Sequence, residues 1–277
     1  MPPLQSKWLL HTIILTPPNL RNILFQNLIR RWDRHLRKYA DRNLNRADLV
    51  KDKNFQNIYS KVGPRKSKYT LAPMERCYSL YKAIKYVTKA SISGDIVECG
   101  VWRGGSAMLA ALTLIENQET HRKIYLYDTY EGMPEPTDKD IDIHGLAYRL
   151  LWKKEKELLT ISLDEVKENM SSTGYPKENI IFVKGMVEDT IPNTVPNQVA
   201  LLRLDTDLYE STYHELIHLY PRVSSQGVVI IDDYGHFQGA QEAVEEYFKK
   251  FSQEVLFHRI DYSCRVVIKP AAPLKVS

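Results

Sequence analysis

The stretch Leu202–Tyr234, LRLDTDLYESTYHELIHLYPRVSSQGVVIIDDY, decides the fold. Two short apolar runs, Val199–Leu204 and Val228–Ile231, each end in paired carboxylates, with a helix-length segment between them. Apolar, partly β-branched runs of this length read as strands buried on both faces, and a helical crossover between two of them makes them parallel. Both carboxylate pairs then leave the sheet at one edge, beyond the strand C-termini, where open α/β sheets bind ligands. On this reading Asp205, Asp207, Asp232 and Asp233 converge there. Four such charges need a shared proton or a cation. A hard divalent metal is the simplest answer for an all-oxygen set.

Upstream, Ile96–Cys99 leads into Gly100-Val101-Trp102-Arg103-Gly104-Gly105-Ser106 and an apolar helix, Ala107–Ile115. Glycines at such a turn let a ligand approach the backbone, and the helix behind it offers unpaired amides and a positive dipole end. The spacing is neither the G-x-G-x-x-G dinucleotide fingerprint nor a phosphate loop ending in G-K-S/T, which disfavours a nicotinamide enzyme or a nucleotide triphosphatase. A tight turn without a ligand is the plain alternative. The next strand, Lys123–Tyr127, ends at Asp128. Nucleoside binders of this class engage ribose hydroxyls with an acid at that place, although an aspartate there also serves as a helix cap. Coupled to the glycine turn, Asp128 points to a nucleoside-containing cofactor.

The remaining pattern extends the same architecture. Pro73 suits the first turn of a helix continuing to about Lys89. Residues 132–150 are Pro-rich and then acidic, with Asp138, Asp140, Asp142 and His144, and read as a lid or as a solvated loop. Their spacing lacks the glycine and terminal glutamate of an EF-hand. Residues 151–170 read as one charged, exposed helix, Ile180–Val183 as a third strand and Gln241–Phe251 as a helix. Val255–Ile260 and Cys264–Ile268 read as a closing antiparallel pair. The expected fold class is α/β: a doubly wound, three-layer α/β/α sandwich of Rossmann-like type, with a terminal antiparallel hairpin and a helical N-terminal extension.

With 277 residues, 43% of them hydrophobic, one large domain with an extension is expected. Gly63-Pro64-Arg65-Lys66-Ser67-Lys68 looks like a linker, giving a basic extension over 1–68 and a main domain over 69–277. The extension carries 15 Lys and Arg against 4 Asp, and the remainder 23 basic against 30 acidic residues. Within it, Leu20, Ile23, Leu24, Leu28, Trp32 and Leu36 recur at helical spacing among arginines. Packing or homo-oligomerisation is favoured for this helix over peripheral membrane contact. Nucleic-acid binding ranks lower, because no aromatic platform or known module accompanies the charge. Three cysteines form no disulfide framework and suggest a reducing, cytoplasmic setting. No apolar run reaches the roughly 20 residues needed to cross a bilayer. The run Trp8–Leu15 is a poor secretory signal, since it meets Thr16-Pro17-Pro18 without a small-residue cleavage site.

Four motifs in order, Glu98-Cys99-Gly100-Val101-Trp102-Arg103-Gly104-Gly105-Ser106, Tyr127-Asp128-Thr129-Tyr130-Glu131-Gly132-Met133-Pro134, Leu204-Asp205-Thr206-Asp207 and Ile231-Asp232-Asp233-Tyr234-Gly235-His236, resemble the macrocin O-methyltransferase (TylF-type) family. Its members are metal-dependent, use S-adenosylmethionine and are best known for methylating sugar hydroxyls on antibiotics. The resemblance implies that S-adenosylmethionine lies along Thr70, Glu98, Gly100, Val101, Gly104, Ser106 and Gly185. Asp128 would meet its ribose, with Glu188 and Asp189 near its adenine. It implies magnesium on Asp205, Asp232 and Asp233, Asp207 as general base with His236 the next candidate, and a hydroxylated, sugar-containing acceptor. Two other readings compete: a glycosyltransferase using the D-x-D to hold a metal and a sugar nucleotide, and a cofactor-binding subunit without chemistry. Clustering four carboxylates without a task is costly, which counts against the last.

Overall fold

A computed structural model describes residues 47–63, 69–252 and 254–271. The expected basic helix over 19–38 and the linker residues 64–68 lie outside the described residues. From Lys53 onward the elements are α1 (Lys53–Val62), α2 (Met74–Lys89), β1 (Asp95–Cys99), α3 (Gly105–Glu116), β2 (Ile124–Asp128), α4 (Arg149–Leu159) and α5 (Leu163–Ser171). Then come β3 (Ile180–Lys184), α6 (Val187–Thr190), β4 (Val199–Leu204), α7 (Tyr209–Leu219), β5 (Val223–Ile231), α8 (Gln238–Lys250), β6 (His258–Arg259) and β7 (Arg265–Ile268).

The seven strands form one sheet in the order β3-β2-β1-β4-β5-β7-β6. β1 to β5 are parallel, and β7 runs antiparallel to both β5 and β6. Alternation along the strands sends side chains to two separate cores. Ile96, Ile124, Leu201 and Val228 join the buried faces of α1, α2 and α3, whereas Val97, Cys99, Leu202 and Val229 join α7 and α8. Helices cover both faces, so the sheet is the middle of three layers. Leu201 and Leu202, at most 1% exposed, lie one on each side. Full burial of such a side chain stabilises by about 1.5–3 kcal/mol.

Three expectations change. The helix expected over 151–170 is two helices: the Ser162 hydroxyl accepts from the Glu165 amide at 3.2 Å and starts α5, whose Val166 and Met170 are buried. Helix α1 lies before the boundary expected at residue 68, yet Phe55, Ile58, Tyr59 and Val62 pack in the same core as Tyr81 and Ile84 of α2. The packed unit therefore begins at Leu49. The segment after Gly132 is pinned rather than free. Asp140, 1% exposed, accepts from the Thr137 amide at 2.7 Å and from the Tyr209 amide at the start of α7 at 2.9 Å. Bridges join Ile141 to Ala147 and Asp142 to Phe237. Within that segment only Gly132, Met133 and Pro134 reach the cavity described next.

Candidate active site

Strand order reverses between β1 and β4, and at such a switch point the flanking connections leave in opposite directions and open a crevice. The register sets Cys99 beside Leu204, so Gly100 and Asp205 leave the sheet side by side. Gly100 has φ of 81°, and a Cβ there would stand 2.1 Å from the Asp205 carbonyl oxygen. Only glycine permits both the backbone angle and that approach. A cavity of about 270 Å³ opens above this junction. Its walls are the glycine turn, Tyr69 to Ala72, the ends of β2 and β3, and the carboxylates of β4 and β5.

The turn and the wall are tied by the main chain and by Asp128. The Gly105 amide donates to the Tyr69 carbonyl at 3.0 Å, and a Cβ on Gly105 would meet that carbonyl oxygen at 2.4 Å. Asp128 accepts from the Val101 amide at 2.7 Å and the Trp102 amide at 3.1 Å, while its other oxygen accepts from the Tyr130 amide at 2.7 Å. It thus fixes Trp102 at a left-handed φ of 48°. Asp128 also lines the cavity.

Two arginines divide the acidic edge. From near the C-terminal end of β4, Arg203 reaches Glu98 at 2.8 Å, Asp205 at 2.6 Å and Asp232 at 2.8 Å. Arg76, on the first turn of α2, pairs with Asp232 and, at 2.7 Å, with Asp261. Burial alone would raise Asp232, but Arg203 and Arg76 outweigh it and hold the carboxyl below its ordinary range. Asp233 is pushed well above that range by burial and by the charges of Asp207 and Asp232. Asp205 is raised by burial and by Asp232 and Asp233, despite Arg203. Burial likewise pushes Glu98 up to about 7 against the pull of Arg203.

Oxygen atoms of Asp205, Asp207 and Asp233 lie within 4.8 Å of one another, and Oδ2 of Asp233 is buried without a hydrogen-bond partner. Crowded carboxylates and an orphaned buried oxygen fit a hard divalent cation, which takes oxygen ligands and would reverse the raised affinities for protons.

The family model of the macrocin-O-methyltransferases (TylF) matches residues 18–268. The chain belongs to that family. The TylF-family chain is 34% identical over 179 residues to 8-demethyl-8-(2,3-dimethoxy-alpha-L-rhamnosyl)-tetracenomycin-C 4'-O-methyltransferase of Streptomyces olivaceus, covering 65% of this chain and 67% of that protein. It is 33% identical over 185 residues to demethyldecarbamoylnovobiocin O-methyltransferase of Streptomyces niveus, covering 66% and 69%. Its fold matches the solved structure of the O-methyltransferase NovP with a TM-score of 0.67 at 29% identity, over 76% of this chain and 87% of that one. The chain is an O-methyltransferase, which sets aside the glycosyltransferase and non-catalytic readings.

In this TylF-family fold, Thr70, Glu98, Gly100, Val101, Ser106, Asp128, Gly185 and Glu188 line the cavity, as do Asp205, Asp207, Asp232 and Asp233. Gly104, Asp189 and His236 do not. Gly104 instead gives α3 its left-handed start, with φ of 82°. Asp189 is exposed on α6. The His236 ring is 3.2 Å from the Tyr262 hydroxyl through Nδ1. Sequence reasoning passed over Arg76 and Arg203. A charged residue inside the apolar run of β4 was the signal for Arg203, since a buried guanidinium needs acidic partners. Nothing local marks Arg76, whose partner Asp232 is 156 positions away.

Proposed function

We propose that this enzyme moves the methyl group of S-adenosylmethionine to a hydroxyl of a sugar-containing acceptor, with a divalent cation held at the carboxylate edge. The reading is carried by one juxtaposition: the glycine turn and the Asp205–Asp207–Asp233 cluster share one cavity. A sugar acceptor is supported by the rhamnosyl group in the name of the S. olivaceus relative.

Methyl transfer from a sulfonium is an in-line displacement, and a neutral alcohol is a weak nucleophile. The amides behind Gly100 and the carboxylate of Asp128 orient the donor, and positioning of this kind lowers barriers by several kcal/mol. Asp207 takes the proton of the attacking hydroxyl, for which it must come within hydrogen-bond reach. Asp205, Asp232 and Asp233 are the ligands this reading names for the cation, which would supply positive charge beside the oxygen that gains it. Each Asp232 oxygen already accepts from a guanidinium, so a cation there would share the carboxylate with Arg76 and Arg203. A second assignment, with Asp207 as third ligand, is favoured by the 4.8 Å grouping that omits Asp232.

Two measurements test the proposal. A labelled-methyl assay over nucleotide sugars, glycosides and glycans, with magnesium added or chelated, should find magnesium-dependent transfer to a glycosyl hydroxyl. Undiminished turnover after exhaustive chelation would overturn the cation. Calorimetric titration of Mn2+ into Asp207→Asn and Asp232→Asn then separates the assignments. If Asp207 is the base, its variant keeps the cation and loses rate by about 10²–10⁴-fold, the typical contribution of general acid–base catalysis. If Asp207 is a ligand, its variant loses the cation and Asp232→Asn keeps it.

A further inference from the structure

Behind the carboxylate edge lies a buried acid to which the mechanism assigns no part. Glu215, on the inner face of α7, is fully inaccessible to solvent. It stands one helical turn beyond Ser211, which lines the cavity, so both project from the same side of the helix. The charged groups acting on Glu215 are acidic, Glu188 and Asp205, and its side chain faces the hydroxyl of Thr206 and the thiol of Cys99. Burial, with the charge of Glu188, raises its carboxyl well above the usual range. A shift in that direction favours the protonated form, which can donate as well as accept.

Thr206 is the middle residue of the Asp205-Thr206-Asp207 turn. That turn is conformationally demanding. Asp207 has φ of 67°, a left-handed angle that side-chain-bearing residues adopt at a cost, and the Asp205 carbonyl is pressed against Gly100. Both Glu215 oxygens and Oγ1 of Thr206 are buried with no well-formed hydrogen-bond partner. Buried polar groups of this kind are stable only when they satisfy one another or an enclosed water.

We propose that Glu215 is a positioning residue: through the Thr206 hydroxyl it holds the Asp205-Thr206-Asp207 turn in the shape that presents both aspartates to the cavity. This rests on the role given to those aspartates above.

The test compares Glu215→Leu, Glu215→Gln, Thr206→Val and the Glu215→Leu/Thr206→Val double variant with wild type. Each is read by kcat, by KM for S-adenosylmethionine and by Mn2+ affinity. Loss of a group that orients site ligands typically costs about 10–100-fold in metal affinity or activity. Glu215→Leu and Thr206→Val should each fall by that order in kcat and Mn2+ affinity with KM for the donor little changed. The double variant should be no worse than the poorer single one, and Glu215→Gln, which keeps a donor and an acceptor, should recover most of the loss. Wild-type-like kcat and Mn2+ affinity in Thr206→Val, or additive losses in the double variant, would overturn the proposal. Thr206→Val also decides the matter if Glu215→Leu fails to fold. Asp205→Asn is measured alongside: if it binds Mn2+ normally, the reading of the aspartates fails, whereas if it loses the ion and Thr206→Val does not, only the positioning role fails.

Discussion

The glycine turn at Gly100–Gly105 and the carboxylate edge at Asp205–Asp233 face each other across one crevice, but they hold their shapes by different means. The turn is fixed almost wholly by main chain: left-handed glycines, amides gathered by Asp128, and a carbonyl from Tyr69 that leaves no room for a Cβ. The edge is fixed by side chains from β1, α2, β4 and β5 whose charges balance only in pairs. Even its adjacent residues differ. Asp232 is enclosed by two guanidinium groups, whereas Asp233 is left with an unpartnered oxygen. One half of the crevice is thus held by backbone geometry, while the other is left short of positive charge.

The most severe way to break the contrast is Gly100→Ala, which strikes both halves at their junction. The new Cβ would collide with the Asp205 backbone at a backbone angle unfavourable to alanine. The expected cost is at least about 2–3 kcal/mol, with loss of donor binding, read by denaturant unfolding and by titration of S-adenosylhomocysteine. Arg76→Met acts on the edge alone. It strips Asp232 of one partner and should cost about 3 kcal/mol at neutral pH, as for other broken buried pairs. Because the native pairing depresses the Asp232 carboxyl, the wild-type advantage is present above its unfolded pKa and fades as pH falls through the folded one. The difference in melting temperature between the two proteins should therefore narrow as pH falls below the ordinary carboxylate range.

The smallest effect concerns Glu98, where turn and edge meet. Its folded carboxyl is raised to about 7 from 4.5, so its contribution to stability is fully present below the lower value and is lost as pH rises through the upper one. Glu98→Gln cannot ionise and should flatten the decline in melting temperature across that window, by at most about 3 kcal/mol, the equivalent of that shift. A variant with the wild-type slope would assign the decline to Asp205 and Asp233, which shift in the same direction.

The sequence carried the sheet clearly because its parallel strands are short apolar runs with carboxylates or glycines at their ends. Observed β1 to β5 lie within a residue or two of the expected runs, apart from β5, which begins earlier at Val223. The glycine turn was legible for the same reason, since conformational demands appear directly as glycine. Less visible was whatever depends on distant partners. Asp140 looked like a loop acid, but its value lies in capping Tyr209, 69 positions on. Residues 151–170 carry charge at nearly every turn, which hid the Ser162 cap and the buried Val166 and Met170. The arginines escaped notice because a positive charge is informative only once the acids that surround it are known.

The contact between Gly100 and the Asp205 carbonyl has one more consequence. On the function proposed above, it joins the donor's cradle to the acceptor's edge without any intervening side chain, so the spacing along the line of displacement would be a property of the chain trace itself. Exposed residues at the cavity, such as Leu71 and Met186, can be exchanged without touching that spacing. Such an enzyme can change what it accepts by redrawing its rim, while the length of the methyl group's path is inherited intact.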